Sequence, residues 1–532
     1  MKHTRELIIT LLVVLLSAFG CSDSRKSFPV PPLGTKANGF IMETRPFEIA
    51  SEKYEADYGT ITVPENRSKS SSRFIHLPFL RIRSQSKNPA EPIFNFSGGP
   101  GKSNMTWDWG IAWTFLSEHD FVLVGYRGVD GSSILDCQEV TTALRGDSDV
   151  LSEESIRKIG RAWSASAERL EAQGVDLDGY TMLECIEDIE SVRNALGYKR
   201  IDILSASYGT RVAYLYGIKH PEHIFRSAMV CVNLPGCFVW EPQAIDAQLK
   251  YYAALWSKDS LMSTKSPDLY ASMRTVLGAM PRRWLFFSID PGKVRVVSFA
   301  LLFHRKTSAM VFDSYIAAER GDPSGLALMS LAYDYILPSL GTWGDLASKA
   351  VSADLDTARD YCSDMDPPEM PLGSPLSKLL WGPFRYGRWP TQLLPEKFRT
   401  RQHSDVETLL LSGSVDFSTP AENATKELLP YLKNGKQVIL SECGHFNDLW
   451  YANIENTRLI VKSFYDTGVP NTSLNTYIPM NFSVNWGFPV IAKVALGVLT
   501  FVGIALLAVI VWFIRRFRRG QALKMIGNAT NA

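Results

Sequence analysis

A serine, an aspartate and a histidine each follow a short apolar run that is typical of a buried strand. Ser207 lies in "SASYG", between "IDIL" and a helical pattern, and small residues flank it as the sharp turn of a nucleophile elbow requires. Asp416 follows "ETLLLSG" and His445 follows "KQVIL", which gives the chain order nucleophile, acid, base. We predict that Ser207 attacks a carbonyl carbon, His445 moves its proton and Asp416 orients the imidazole.

Simpler interpretations exist for some of these residues. Ser207 could be an ordinary helix N-cap, because serine is favoured there. His220 and His223 lie near the end of the helix that follows Ser207, and we expect them to cap that helix rather than take part in chemistry.

The loop "FSGGPGKS" invites interpretation as a phosphate-binding loop. That motif needs a glycine five positions before its Gly-Lys pair, where this chain has Phe96. Pro100 also removes one amide donor. No nucleotide partner is therefore predicted.

The same loop can instead stabilise an oxyanion. In a hydrolase with a nucleophile elbow, one amide comes from the residue after the serine, here Tyr208. A second comes from a glycine-rich loop after an early strand, here Gly99 or Gly98.

The elements that must position these groups alternate between strands and helices. "PIFNF", "FVLVGYRG" and "IDILSAS" indicate buried strands, and "TMLECIEDIESVRNALG" indicates a helix. This rhythm favours an α/β fold with a mostly parallel sheet and helices on both faces. Long helical patterns replace it between residues 235 and 400 and then the rhythm returns, which predicts an inserted helical domain.

Both ends of the chain carry targeting signals. Residues 1–20 have Lys2 and Arg5 before an apolar run and small residues, the pattern of a signal peptide, and Cys21 is a candidate for lipidation. Residues 494–514 carry no charge and are long enough to span a bilayer, and "RRFRR" follows them. We expect the catalytic part to lie on the periplasmic or extracellular side and the C-terminus to lie in the cytoplasm.

These observations divide the chain into eight predicted segments. They are a signal peptide (1–20), a linker (21–45), a first core part (46–234), a helical cap (235–400), a second core part (401–475), a juxtamembrane linker (476–493), a transmembrane helix (494–514) and a cytoplasmic tail (515–532).

Six cysteines follow Cys21, an even number that suits disulfide bonds outside the cytoplasm. A disulfide bond between Cys231 and Cys237 is plausible because the two residues are close in the sequence. A bond between Cys137 and Cys185 is plausible from the predicted order of elements. Buried free thiols are the alternative. We find no metal-ligand spacing and predict neither metal nor cofactor. A net charge of +1 gives no reason to expect nucleic acid.

The ordered motifs resemble the proline iminopeptidase and tripeptidyl aminopeptidase family of α/β-hydrolases. "FSGGPG" resembles its His-Gly-Gly-Pro-Gly loop and "GYRGVDGSS" its Asp-x-Arg-Gly-x-Gly-x-Ser segment. "SASYGT", "GSVDFSTP" and "CGHF" match the nucleophile, acid and histidine blocks. The resemblance covers roughly residues 50 to 470 and implies an α/β-hydrolase fold with a helical cap. The chain departs from this pattern at Ser97, Gly125 and Asp130. None of these departures removes one of the three predicted catalytic residues, Ser207, Asp416 and His445.

The resemblance also implies a substrate class. Cap carboxylates of the family grip the free α-amine of a peptide, and Glu241 is our candidate for that role, with a solvated glutamate as the alternative. The acidic segment 360–369 is a second candidate or a surface loop. We thus expect a membrane-anchored serine aminopeptidase acting on peptides. The alternatives are an esterase acting on small acyl esters and a catalytically silent binding protein.

Overall fold

A computed structural model describes residues 28–49, 51–106, 109–146 and 149–529. The predicted signal peptide and the lipidation candidate Cys21 lie outside the described residues. Within them, the predicted α/β architecture is confirmed: one large sheet carries helices on its faces, and a mainly helical cap covers one edge.

The strands of the large sheet are β1 (Phe40–Ile49), β2 (Glu52–Pro64), β3 (Phe74–Ile82), β4 (Ile93–Phe96), β5 (Phe121–Val124), β6 (Ile201–Ala206), β7 (Ile224–Val230), β10 (Glu407–Gly413) and β11 (Gly435–Leu440). A separate hairpin in the cap consists of β8 (Arg283–Trp284) and β9 (Phe287–Ser288).

The α-helices before the cap are α1 (Trp109–Trp113), α2 (Gln138–Leu144), α3 (Glu153–Ala172), α4 (Met182–Ala195) and α5 (Tyr208–Lys219). Those that follow as far as β10 are α6 (Pro242–Lys258), α7 (Ser260–Lys265), α8 (Leu269–Gly278), α9 (Pro291–Leu301), α10 (Arg305–Glu319), α11 (Ser324–Ile336), α12 (Trp343–Asp354), α13 (Tyr361–Asp364), α14 (Pro375–Trp381) and α15 (Glu396–Arg399). The remainder are α16 (Ala421–Asn423), α17 (Asn447–Tyr451), α18 (Ile454–Thr467) and α19 (Phe488–Ala529).

The sheet order is β1-β2-β3-β5-β4-β6-β7-β10-β11. The first three strands and the β3–β5 pair are antiparallel, whereas β5, β4, β6, β7, β10 and β11 run parallel. The carboxyl ends of the parallel strands therefore meet at one edge, where open α/β sheets bind their ligands.

Two segments differ from the predicted boundaries. β1 begins at Phe40, inside the segment expected to be a linker, because its residues pair along the whole length of the strand with β2. Met480 and Phe482, in the expected juxtamembrane linker, are buried, and the ring centroid of Phe482 lies 5.2 Å from that of Trp256 in the cap.

Helix α3 belongs to the cap by its packing, although it precedes the predicted insertion. Trp163 contacts Phe384 and Trp389, with ring centroids 5.7 and 5.5 Å apart. Gly160 lies against Gly387, where a side chain would collide with the backbone. The cap thus combines an early helix with the later insertion.

The predicted membrane segment lies within α19. The part of that helix from Phe488 to Phe517 is long and apolar enough to cross a membrane, and its most apolar stretch is not buried in the protein. Length and composition alone carry this assignment.

A buried carboxyl in β6 gives the first prediction. Burial, with a smaller effect from the charge of Glu91, raises the pKa of Asp202 from 3.8 to about 8. Its Oδ2 atom has no hydrogen-bond partner among the described residues, and His119 Nδ1 is 3.9 Å away. Since the raised pKa keeps the carboxyl protonated in the fold, its contribution to stability is lost as pH rises from about 4 to 8.

We expect Asp202→Asn to increase the free energy of unfolding by on the order of 3 kcal/mol at neutral pH and by almost nothing below about pH 4. Denaturant titrations of both proteins across this range measure the difference. Asp405→Asn, at an exposed carboxylate, is the control and should change little. A gain that is equal at all pH values would contradict the assignment.

Candidate active site

Ser207 occupies a strained turn between β6 and α5. Its φ of 51° and ψ of −121° are unusual for a residue other than glycine. Its backbone N–H donates to the Val230 carbonyl of the neighbouring strand at 2.9 Å, which fixes the turn in the sheet. A side chain at position 209 would lie 1.9 Å from the carbonyl oxygen of Phe96, so the last glycine of the motif permits this turn. This geometry matches a nucleophile elbow.

Asp416 and His445 are joined by a hydrogen bond. Both residues are buried, and His445 Nδ1 lies 2.8 Å from Asp416 Oδ2. A carboxylate can only accept, so Nδ1 carries the proton and Nε2 is left as the basic nitrogen. Asp416 also accepts hydrogen bonds from the amides of Ser418 and Thr419 and from the Thr419 hydroxyl.

The charge of Asp416 is set by opposing effects. Burial raises the pKa of Asp416, but the interaction with His445 and the hydrogen bonds from Thr419 outweigh it and hold this pKa below its ordinary value. The carboxylate therefore remains charged at neutral pH, as a residue that orients and stabilises an imidazolium must.

The three residues follow three parallel strands, β6, β10 and β11, which are neighbours with β7 in the sheet. The sheet thus brings them to one edge. Among the described residues the structure shows no hydrogen bond from the Ser207 hydroxyl to His445. Such bonds are often formed only when substrate is present.

The glycine-rich loop lies directly against the elbow. A Cβ at position 98 would lie 2.9 Å from Ser207 Cβ, so the close approach favours glycine there. Gly99 has a φ of 74°, in the left-handed region that glycine adopts without strain. The loop backbone can therefore pass beside the nucleophile.

Two amides of this loop remain available. Ser97 donates its amide to Asn104 Oδ1 at 2.8 Å, whereas the amides of Gly98 and Gly99 donate no hydrogen bond among the described residues. Tyr208 contributes the first amide of α5, which has no partner within its own helix. Gly98 lies against Ser207 and Tyr208 directly follows it, so these two amides belong to residues that adjoin the elbow.

Gly125 and Asp130, which both depart from the family pattern, are in contact with each other. A Cβ at Gly125 would lie 2.8 Å from Asp130 Cβ, so the side chain of Asp130 occupies space that the glycine leaves free. Asp130 accepts hydrogen bonds from the Ser103 hydroxyl and from the amides of Asn104 and Tyr126. It thereby joins the Arg-Gly segment to the glycine-rich loop.

The predicted disulfide bonds are not found. Cys137, Cys185, Cys231 and Cys237 are all free thiols, as are the other two described cysteines. The Cys231 sulfur accepts a hydrogen bond from the Phe446 amide at 3.1 Å, whereas Cys237 lies beside Asn423. Sequence proximity therefore did not place these two sulfurs together.

Cys231 lies beside the predicted acid and histidine, although its sequence context predicted a disulfide bond with Cys237. Its sulfur and ligand atoms of Asp416 and His445 lie within 4.8 Å of one another. Burial raises the pKa of the Cys231 thiol well above its ordinary value, so the thiol is neutral and supports the loop that carries His445. Cys231 directly follows β7, and this position at the carboxyl end of a parallel strand could have indicated that it lies near the site.

Glu241, the candidate for binding a substrate amine, lies in an ion pair. Both oxygens of its carboxylate are bound by the Arg359 guanidinium at 2.7 Å. Within the acidic segment, Asp360 pairs with Arg385, Asp364 with Arg359 and Asp366 with Arg295, whereas Glu369 is exposed and forms no ion pair among the described residues. Because arginines already neutralise the paired carboxylates, an amine would have to compete with these arginines to bind there.

The cap contacts three loops of the site. The His445 amide donates to the Phe303 carbonyl at 2.7 Å, and Trp240 Nε1 donates to the Ser418 carbonyl at 2.9 Å. At the glycine-rich loop, the Thr342 amide of the cap donates to the carbonyl of Gly101 at 2.8 Å. The cap therefore helps to hold the histidine, acid and glycine-rich loops in place.

Asp345 of the cap is a positioning residue that no sequence motif indicated. Its Oδ2 accepts from the Gly101 amide at 2.9 Å, and its Oδ1 binds Lys349 Nζ at 2.5 Å. Both side chains are buried. This pair fixes the end of the glycine-rich loop from within the cap.

We expect Asp345→Asn to lower the free energy of unfolding by about 3–5 kcal/mol, because Lys349 is left buried without a counter-charge. The double variant Asp345→Asn/Lys349→Met removes both charges and should recover most of the loss. Denaturant titrations of the three proteins measure this. A single variant as stable as the parent would contradict the role of the pair.

Comparisons with known proteins identify relatives over part of the chain. A tripeptidyl aminopeptidase of Streptomyces lividans is 30% identical over 192 residues, which are 33% of this chain and 35% of that protein. The corresponding enzyme of Streptomyces coelicolor matches to the same extent. The match thus spans about a third of the length of these relatives.

Solved structures also match at low identity. An α/β-hydrolase from a deep-sea metagenome library is 13% identical, with a TM-score of 0.35, and the match covers 75% of this chain and 97% of that one. An esterase from Exiguobacterium antarcticum is 13% identical, with a TM-score of 0.34, over 76% of this chain and 98% of that one.

The family model described as the α/β-hydrolase fold matches residues 91–450, a range that holds Ser207, Asp416 and His445. It covers more than half of the chain. The α/β-hydrolase fold that the motifs predicted is therefore confirmed. The chain belongs to the α/β-hydrolase fold family.

Proposed function

We propose that this protein is a membrane-anchored serine hydrolase that acts as an aminopeptidase on short peptides. The observation that carries the proposal is the buried Asp416–His445 hydrogen bond in a sheet that also carries the strained turn of Ser207. The partial match to tripeptidyl aminopeptidases supports peptides as substrates.

In the proposed reaction, the Ser207 hydroxyl attacks the scissile carbonyl carbon while its proton passes to His445 Nε2. The amides of Gly98 or Gly99 and of Tyr208 stabilise the oxyanion, each by about 3 kcal/mol. His445 then gives the proton to the leaving amine, and an acyl-enzyme remains. Water, deprotonated by His445, hydrolyses the ester and restores Ser207.

The topology is part of the proposal. The apolar part of α19 would anchor the protein, with the arginines that follow it on the cytoplasmic side. The catalytic domain would then lie on the periplasmic or extracellular side, to which the predicted N-terminal signal also directs it.

A carboxylesterase is the second candidate, and one observation favours it. Glu241, Asp360 and Asp364 all carry arginine partners, so a substrate amine would have to displace an arginine from each of these three carboxylates. The triad chemistry itself serves esters and amides alike.

The deciding experiment uses the full chain in detergent with three substrates: a peptidyl anilide, its N-acetylated twin and a butyrate ester. Ser207→Ala provides the background rate. Cleavage of only the free-amine anilide would support the aminopeptidase. Turnover of the ester alone would replace it with the esterase, and no turnover of any substrate would contradict both.

A further inference from the structure

A hairpin of the cap presents apolar side chains to solvent. β8 and β9 are joined by Leu285 and Phe286, which are 59% and 67% exposed. The Ile289 amide donates to the Arg282 carbonyl at 2.9 Å and closes the hairpin. Exposing two large apolar side chains at a tip costs about 1.5–3 kcal/mol for each side chain relative to burial.

The base of this hairpin packs beside the apolar helix α19. Trp284 and Phe287 stack with ring centroids 5.7 Å apart. They line one groove together with Ala495, Leu496 and Leu499 of α19. The hairpin is therefore next to the segment that is long and apolar enough to span a bilayer.

Further contacts hold the cap against the start of α19. Lys493 pairs with Asp322 at 2.5 Å, and the Ser324 hydroxyl donates to the Pro489 carbonyl at 3.4 Å. The cap thus faces the membrane surface if α19 enters the bilayer at this end.

The depth of the contact matches the bilayer interface. The charge-free run of α19 begins at Val494, and at about 1.5 Å per residue Leu499 lies about 8 Å further along the axis. Interfacial segments bury their apolar groups about 5–10 Å into the boundary between headgroups and acyl chains.

The charges beside the tip also suit a lipid surface. Arg282 and Arg283 are exposed and form no ion pair among the described residues. Arginine binds phosphate through paired hydrogen bonds, and segments that lie in the membrane interface carry Trp, Phe and Leu on their apolar side.

We propose that the hairpin inserts Leu285 and Phe286 into the leaflet that faces the catalytic domain, with Arg282 and Arg283 contacting lipid phosphates. This inference rests on the proposed anchoring by α19. The hairpin gives the cap a second membrane contact, so that the site is held at a fixed height above the bilayer.

The test places a fluorescent label at single introduced cysteines in the full chain, reconstituted in phospholipid nanodiscs. The positions are Phe286→Cys at the tip, Leu506→Cys within the apolar helix and Val469→Cys as the control. Val469 is 59% exposed and follows Gly468. The Gly468 carbonyl accepts a hydrogen bond from Lys436 at the amino end of β11, the end of the strand that is opposite to the predicted site. The unsubstituted chain is labelled in parallel as the blank.

Leu506 lies about 18 Å along the axis from Val494, near the middle of the bilayer, so two lipid pools are used, one with a nitroxide near the headgroup and one with a nitroxide near the end of the acyl chain. The first pool should quench the label at 286 and the second the label at 506, each by about twofold or more, and both should leave the label at 469 almost unchanged. Quenching at 506 without quenching at 286 would overturn the hairpin contact and leave the anchor intact. No quenching at either position would reject the anchor and the hairpin contact together. Equal quenching at 469 would indicate general adsorption to lipid and would also overturn the inference.

Discussion

Ser207→Ala is expected to reduce kcat/KM by about 10⁵-fold on any substrate that the protein hydrolyses. The variant lacks the oxygen that forms the acyl-enzyme, while the Asp416–His445 pair and the glycine-rich loop remain in place. The residual rate would come from oxyanion stabilisation and binding alone. Steady-state rates with a peptidyl anilide and a butyrate ester measure the loss.

The matched control is Ser205→Ala, two residues earlier in the same segment. The Ser205 hydroxyl is buried and donates to the Ala228 carbonyl at 3.2 Å. Its removal should cost about 1 kcal/mol of stability and leave the rate nearly unchanged. If Ser205→Ala lost as much activity as Ser207→Ala, the assignment of the nucleophile would be wrong.

Asp416→Asn is expected to lower kcat by about 10⁴-fold at neutral pH. The amide can keep the bonds from Ser418 and Thr419 only by turning its NH₂ group towards His445 Nδ1. The imidazole must then carry its proton on Nε2, where it cannot accept the proton of Ser207. Pre-steady-state and steady-state rates of the variant measure the effect.

The same substitution changes the response to acid. Because the pKa of Asp416 is lowered in the fold, its contribution to stability is present above its unfolded pKa and is lost as pH falls through the folded pKa. Asp416→Asn should therefore lose stability less steeply in acid than the parent. Asp405→Asn, at an exposed carboxylate beside Lys433, is the control and should retain activity. An active Asp416→Asn variant would contradict the proposed triad.

The order of elements made the positions of Ser207, Asp416 and His445 in the sheet predictable from sequence. The runs that precede Ser207, Asp416 and His445 are short and apolar, and the structure places each in a parallel strand of the same sheet. Parallel strands bring their carboxyl ends to one edge, so correct strands were enough to place the three residues at the same edge of the sheet.

The partners of individual charges could not be predicted in the same way. The bond between Gly101 and Asp345 joins residues 244 positions apart, and the Glu241–Arg359 pair spans 118 positions. Neither belongs to a local motif, since both depend on how the cap packs on the core. The cysteine pairs failed because two sulfurs are not placed within bonding distance by closeness along the chain, as assumed for Cys231 and Cys237, or by the order of elements, as assumed for Cys137 and Cys185.

The most direct test of the account is to treat the full chain with a fluorophosphonate and to locate the adduct by peptide mass spectrometry. We predict a single adduct on Ser207, lost in Ser207→Ala and retained in Ser205→Ala. An adduct on another residue, or hydrolysis that continues without any adduct on Ser207, would contradict the claim that this serine is the nucleophile.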